Sequence, residues 1–409
     1  MLAISKLADR TSCTACGACV QSCPVNSIFF EEDEYGCAYP IIDEKRCIDC
    51  GKCRTVCHVH GERSYHFPLH AYAGWSLDEP THEKAASGGI ASEIYKYCVR
   101  NNLFTMGTYF NKEKRLIFKP IIDMQDIKWA RNSKYVQSDM SGCFEMYEKV
   151  LKQGDQAVFI GLPCQVAAIK SYLRTSVVNM AKLVTVDLLC RGVPPINYWK
   201  NHMSNLEEKY GQIDKVSFRG PDSIYTLRCF LKDDTIVYEK DMHGDDTYYR
   251  AFCENLNFRE NCYHCSFARY ERVSDITLGD YSGIGQLWPY EGRRDMVSLI
   301  LSNTNKGNDF LEKIQDIELI ERHICEPPAA KGNPPLRHPS DSRRREVFLT
   351  TYKKNGGGID GYEKAAKKAL RREFFKWKIE LPAYKIVRLI KRNIPRDFKK
   401  IIKQFLQYI

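Results

Sequence analysis

The chain has 409 residues, 44% of them hydrophobic, and a formal net charge of +10. That length supports two or three domains around a sizeable core, and the hydrophobic share is ordinary for a globular protein. No run of 18 or more apolar residues occurs, so no transmembrane helix is expected. The charge is uneven: residues 331–409 hold 22 Lys+Arg and 7 Asp+Glu, a net of +15, which leaves 39 against 44, a net of −5, for residues 1–330.

The first residues, MLAISKLADRTSC, contain no apolar stretch and read as no secretory signal. A reducing cytoplasm is then the expected compartment, and the 18 cysteines read as metal ligands and packing residues rather than disulfides. Cys13, Cys16, Cys19 and Cys23 precede Pro24, and Cys47, Cys50, Cys53 and Cys57 repeat the same gaps. This C-x-x-C-x-x-C-x-x-x-C spacing, twice, predicts two [4Fe–4S] clusters with the fourth cysteine of each run serving the other cluster. Cys13, Cys16, Cys19 and Cys57 are assigned to one, and Cys47, Cys50, Cys53 and Cys23 to the other. Soft thiolates suit such clusters, whereas structural zinc favours two separated C-x-x-C pairs. Gly17 and Gly51 lie where backbone must come close to a cluster, and His58 stands where the second run would carry proline.

Residues 1–62 are therefore read as a ferredoxin-like α+β module, and 326–345, rich in proline, as a linker. Between them, expected strands at 71–76, 157–162, 183–190 and 297–303 alternate with helices at 88–100, 143–153, 164–174, 195–210 and 308–315, an α/β unit. An antiparallel pair over 226–241 turns at Asp233-Asp234. The unit divides into 71–175 and 182–325, with a seam near 175–182. A basic helical tail spans 346–409. In its last segment Phe398, Ile401, Ile402, Phe405, Leu406 and Ile409 follow helical spacing, with Lys399, Lys400 and Lys403 off that stripe. A basic amphipathic helix over 384–409 reads as a contact with the inner membrane surface, or as a helix docking its apolar face on the body. Nucleic acid is not an expected partner, because no base-reading motif is present.

Four constellations carry chemistry in the body. Ser87-Gly88-Gly89 opens a helix, where amides favour a phosphate; taken alone, a plain serine cap with flexible glycines is the commoner reading of such a pattern. Gly161-Leu162-Pro163-Cys164-Gln165 and Leu189-Cys190-Arg191-Gly192 each follow a strand, the usual place for cofactors in open α/β sheets. With Cys262 and Cys265 they supply four thiolates for a third [4Fe–4S] cluster if the fold gathers them; otherwise they are buried cysteines and a zinc or redox pair. Ser274–Gly283 ends a strand at Gly279-Asp280, where an acid could meet a ribose or substrate hydroxyl or simply close a turn. Cys37, Cys98, Cys143, Cys229, Cys253 and Cys325 read as packing residues.

In order, SGG (87–89), KYVQSD (134–139), GLPCQ (161–165), LCRGVP (189–194), CYHC (262–265) and SDITLGDYSGI (274–284) resemble one family over residues 1–330. It is the family of beta subunits of coenzyme F-420 (deazaflavin) hydrogenase and dehydrogenase, here with a fused double ferredoxin. The resemblance implies an FAD flavoprotein with clusters beside the flavin. Ser87, Gly88 and Gly89 would lie at the FAD phosphates, with Gly161 and Gly279 also in the cofactor site, and Cys164, Cys190, Cys262 and Cys265 would hold the third cluster. Lys134, Gln165, Arg191 and Asp280 are the catalytic candidates. The chain has Arg191 where members usually carry histidine, and Tyr281-Ser282 where they carry Phe-Trp. The expected function is an FAD and iron–sulfur oxidoreductase linking a ferredoxin-like partner to a small organic two-electron substrate. The alternative is an electron-transfer subunit or redox scaffold in envelope or exopolysaccharide synthesis.

Overall fold

Gly17 (φ 83) and Gly51 (φ 72) take up left-handed backbone and cap the short helices Ala18–Gln21 and Lys52–Thr55, a conformation that glycine adopts without steric cost. These turns bend each cysteine run back on itself. Between them, β1 (Ile28–Glu32) and β2 (Ala38–Ile42) pair antiparallel, Ile28 opposite Ile42. The computed structural model describes residues 7–219, 225–329, 336, 339 and 342–375.

The body is built on β3 (His70–Ser76), β4 (Phe104–Phe110), β5 (Leu116–Pro120), β6 (Ala157–Gly161), β7 (Leu183–Leu188), β8 (Lys215–Arg219), β9 (Tyr225–Phe230), β10 (Ile236–Asp241), β11 (Ile276–Asp280), β12 (Ser298–Ser302) and β13 (Ile317–Arg322). Eight of these form one mixed sheet in the order β13-β3-β12-β11-β7-β6-β4-β5. The strands β4, β6, β7 and β11 run parallel. Every residue of β6 (AVFIG) and β12 (SLILS) is buried, as expected for strands covered on both faces. Helices Cys143–Lys152 and Pro163–Arg174 close one face over Phe144, Tyr147, Phe159 and Ile169. Helices Ile90–Arg100 and Asn305–Leu311 close the other over Ile94, Ile160, Val186 and Ile300. Each such side chain contributes about 1.5–3 kcal/mol on full burial.

The four expected strands form as β3, β6, β7 and β12, and the turn at Asp233-Asp234 joins β9 to β10. The helix expected at 308–315 begins earlier, because the Thr304 hydroxyl accepts the Gly307 amide at 3.1 Å and starts the helix at Asn305. Residues 175–182 are no seam between separate sheets. They end the crossover between the adjacent parallel strands β6 and β7, with Ala157 opposite Leu183, and β3 pairs with β12 and β13 across the whole interval.

A second core lies beside the sheet. The three-stranded sheet β10-β9-β8 packs with helices Ile196–Tyr210 and Thr247–Cys253 over Trp199, Phe218, Tyr248 and Tyr249. Helices Arg343–Lys354 and Gly358–Ala369 enter this core through Phe348, Tyr352 and Tyr362. The stretch 342–375 thus belongs to the body and is not an independent tail. Linker residues Glu326–Ala329 also belong to the body, as a short helix whose buried Glu326 carboxylate accepts from Arg322, Tyr281 and the Gly285 amide. The amphipathic pattern at 384–409 lies outside the described residues.

Candidate functional site

The two cysteine runs enclose two chambers of about 20 Å³ each. One is lined by Cys13, Cys16, Cys19 and Cys57, the other by Cys23, Cys47 and Cys50, and Cys53 lies in the wall of both. Cys57 thus lies with the first run and Cys23 with the second. Among the described residues, no group of three or more His, Cys, Asp or Glu converges as a single-ion site would. Cys50 is exposed, whereas Cys13 and Cys53 are buried. His58 packs at the first chamber with Nε2 2.9 Å from the Thr14 hydroxyl. Burial, together with the Arg63 charge, pushes its imidazole down to about 3, so it is neutral there.

A third chamber of about 50 Å³ is lined by Cys164, Cys190, Cys262 and Cys265. Cys164 stands at the start of the helix after β6, Cys190 just beyond β7, and Cys262 and Cys265 in and after the short helix Glu260–Tyr263. Burial pushes all four thiols up, Cys262 to about 12. Four thiols whose anions are costly without a cation fit a positively charged iron–sulfur core. The wall towards the dicluster module is Thr14, Ala15 and Cys16, which also line the first chamber.

Two residues that local sequence patterns do not flag tie this chamber together. The Arg272 guanidinium, 2% exposed, donates to the Asp187 carboxylate at 2.9 Å and to the carbonyls of Phe267 and Arg269. Asp187 lies three residues before Cys190, and Phe267 two after Cys265. The only hint in the sequence is an aspartate inside the apolar run LVTVDLL; Arg272 gives none.

Beyond the third chamber opens a cleft of about 490 Å³, within the usual range for small-molecule sites. The two share Leu162, Gln165 and Cys190–Val193. Ser87 and Gly89 line the cleft, followed by Ile90, Ala91 and Ser92 of the Ile90–Arg100 helix. Ser87 is not the cap: its hydroxyl donates to the Val297 carbonyl at 3.0 Å, and Gly89 (φ 87) starts the helix without a side-chain cap. The first turn of this helix thus lies at the cleft with no side-chain acceptor for its amides, an arrangement that favours an anion. Gly88 stands behind, its amide donating to the Ser298 hydroxyl.

Gly161 and Gly279 reach the cleft wall, but protein explains them. A Cβ would stand 2.8 Å from the Phe159 ring at Gly161 and 2.6 Å from Leu189 Cδ1 at Gly279. Gln165 accepts the Leu162 amide and donates to the Ser138 hydroxyl, bracing its own helix. Arg191 donates to Asn255 Oδ1 at 2.7 Å and to the Cys253 carbonyl. Asp280 accepts from Arg219 at 2.9 Å and from the Tyr225 hydroxyl at 2.8 Å, with the Arg219 guanidinium 3.6 Å over the Tyr225 ring. Its Oδ2 is thus held by protein rather than directed at a sugar. Lys134 donates to the carbonyls of Ala130 and Arg131. Burial, aided by Arg131, pushes its ammonium down to about 7. Of the cysteines read as packing residues, Cys37, Cys98, Cys143 and Cys229 are buried, Cys253 is half-buried and Cys325 is exposed. Cys325 is the exception because it lies on the surface turn that follows β13.

Residues 154–326 match the family described as the C terminus of the coenzyme F420 hydrogenase/dehydrogenase beta subunit, and residues 12–60 match the 4Fe-4S dicluster domain. The F subunit of the F(420)H(2) dehydrogenase of Methanosarcina mazei is 22% identical over 335 residues, covering 78% of this chain and 87% of that protein. A protein described as Ferredoxin 7Fe from Hydrogenibacillus schlegelii is 48% identical over 42 residues, 10% of this chain and 47% of its own length. A chain of the F420-reducing [NiFe] hydrogenase complex of Methanosarcina barkeri aligns with a TM-score of 0.41 and 17% identity, over 74% of this chain and 92% of that one. No helix among the described residues is long and apolar enough to cross a membrane. The chain joins a 4Fe-4S dicluster domain to a domain of the family formed by the C-terminal regions of coenzyme F420 hydrogenase/dehydrogenase beta subunits, and is an iron–sulfur electron-transfer protein related to those oxidoreductase subunits.

Proposed function

We propose that this chain is an FAD- and [4Fe–4S]-dependent oxidoreductase that moves electrons between a ferredoxin-like protein partner and a small organic two-electron substrate. One observation carries the reading: four chambers follow one another with shared walls. Cys53 joins the two dicluster chambers, Thr14–Cys16 join the first of these, that of Cys13, to the third, and Cys190–Val193 join the third to the cleft. Such contiguity is what electron transfer between fixed centres needs, and holding cofactors in reach is the protein's share of the chemistry.

The residues fit the groups. Cys164, Cys190, Cys262 and Cys265 would hold a third cluster, and the amides of Gly89 and Ile90 would hold the dinucleotide phosphates, the Ser87 proton being taken by the Val297 carbonyl. A bound flavin supplies the exchange of one hydride for two single electrons. Lys134, pushed to about 7 by its burial, would hold or release a proton at neutral pH. The ion pair of Arg219 and Asp280 shapes the side of the cleft formed by β8 and β9, where the organic substrate would enter.

A second reading, an electron-relay subunit that has no substrate turnover of its own, is favoured by the name of the Methanosarcina mazei relative, one subunit of a dehydrogenase. Iron, acid-labile sulfide and flavin content of the anaerobically purified chain tests the first reading. About twelve irons with one FAD are expected for three clusters. About eight irons without flavin would overturn it and leave the relay.

A further inference from the structure

A buried charge with no carboxylate beside it among the described residues stands between the dicluster module and the body. Arg259 is 0% exposed. Its guanidinium donates to Gln137 Oε1 at 3.2 Å, to the Ala38 carbonyl at 3.1 Å and to Asn261 Oδ1 at 3.4 Å, and it lies 4.8 Å from the centre of the Tyr39 ring. All of these partners are neutral. The other deeply buried guanidiniums each have a carboxylate: Arg272 has Asp187 at 2.9 Å, Arg345 has Glu260 at 2.6 Å, and Arg219 has Asp280 at 2.9 Å. Among the described residues no carboxylate pairs with Arg259. An isolated buried cation is costly, and arginine cannot shed its proton to avoid the cost.

The neighbours show what would offset it. Ala38 and Tyr39 belong to β2 of the dicluster module, and Gln137 and Asn261 line the four-cysteine chamber. The Tyr39 ring beneath the guanidinium packs in one cluster with Cys13, and Asn261 stands next to Cys262. A [4Fe–4S] cluster with four thiolates is an anion that gains one further negative charge on reduction, and net charge is one of the determinants of its potential.

We propose that Arg259 is the counter-cation shared by the cluster at Cys13, Cys16, Cys19 and Cys57 and the cluster at Cys164, Cys190, Cys262 and Cys265, and that it raises the reduction potential of both. The inference rests on the three-cluster reading. It also gives the path a direction. One electron leaves the cluster at Cys23, Cys47, Cys50 and Cys53, whose Cys50 is exposed, and one is gained by the inner pair; no proton moves, because the guanidinium stays charged. Electrons entering at the exposed end settle inward, towards the cleft.

The test is an EPR-monitored redox titration of the full chain, purified anaerobically, as wild type and three variants. Gln137→Glu keeps the side-chain size and the hydrogen bond to Arg259 but cancels its charge. It is expected to lower the inner potentials by on the order of 59 mV, a tenfold change for a one-electron step. Arg259→Gln should do the same, and Arg259→Lys should stay near wild type. If Gln137→Glu carries full iron and titrates like wild type, the proposal is overturned. Should Gln137→Glu fail to assemble its clusters, Arg259→Gln against Arg259→Lys decides, and equal shifts in those two overturn it. About eight irons in the wild type would remove the third-cluster reading alone, because the shift at the Cys13 cluster remains measurable.

Discussion

Replacing Asp187 by alanine should separate the third cluster from the other two. Asp187 is fully buried at the end of β7 and takes two donors of Arg272, at 2.9 and 3.3 Å. Removing the carboxylate leaves a guanidinium of 2% exposure without its counter-charge, a loss of about 3–5 kcal/mol for a broken buried pair. The cost falls on one place, since the same guanidinium fixes the carbonyls of Phe267 and Arg269 just past Cys265. Anaerobic chemical denaturation is expected to show that loss. Iron should fall from about twelve towards about eight per chain, because the dicluster cysteines do not touch the pair. Arg272→Met in the Asp187→Ala background should cost less than in the wild type, since the charge it removes is already unpaired. A variant within about 1 kcal/mol of wild type would refute the argument, because exposed pairs rarely exceed that.

Phe348, 0% exposed and set against Tyr198 and Tyr362, should lose about 3–5 kcal/mol on replacement by alanine, read by denaturation; no loss would detach helix Arg343–Lys354 from the body. Lys134→Met should remove a pH dependence. With its ammonium pushed down to about 7, the unfolded chain holds the extra proton above that pH, so wild-type stability rises between about 7 and the ordinary lysine value near 10.4; the variant should be flat there. The His202 ring stands 2.9 Å from the Asp246 carboxylate, and against the cost of burial that pairing raises the imidazole and lowers the carboxyl. Their stabilisation is full between the ordinary values of 3.8 and 6.5. It is lost as pH rises through the raised His202 value and as it falls through the lowered Asp246 value. His202→Gln should abolish the alkaline loss in a pH series of thermal midpoints. Liposome flotation tests the basic segment at 384–409, and the truncation must fall after residue 375, since a cut at 345 would remove Phe348, Tyr352 and Tyr362 from the core; equal recovery of the full chain and residues 1–375 would exclude a membrane contact.

Much of this arrangement is legible in the sequence, and for physical reasons. A cluster needs thiolates at fixed short gaps, so Cys13–Cys57 announce themselves. The strands AVFIG and SLILS are buried on both faces, so each is an apolar run of strand length. Long-range partners leave no such trace. Arg272 meets Asp187 85 residues away, and Arg259 reaches Ala38 across 221. Nor can spacing show that Gly279 answers to Leu189, that Asp280 is held by Arg219, or that Phe348 and Tyr362 complete a core begun by Trp199. The stretch 346–409 reads as a separate tail because charge dominates its composition, while seven buried side chains, from Phe348 to Leu370, decide where its described helices sit.

The position of the site follows from strand direction. The strands β6, β7 and β11 run parallel, so Gly161, Leu188 and Asp280 end at one edge of the sheet. β12 is antiparallel to both β11 and β3, which brings the end of β3 and the start of β12, with Ser298, to that same edge. Cys164 and Cys190 lie just past the ends of β6 and β7, and Gly88, by bonding Ser76 and Ser298, returns the chain to the same edge, the place where open α/β sheets bind ligands. The remaining thiolates, Cys262 and Cys265, come from the segment leading into β11. The dicluster module closes the edge from outside through Thr14–Cys16. Electron path and cleft thus meet where the sheet leaves space, and two of the strands that frame them, β6 and β12, are buried along their whole length.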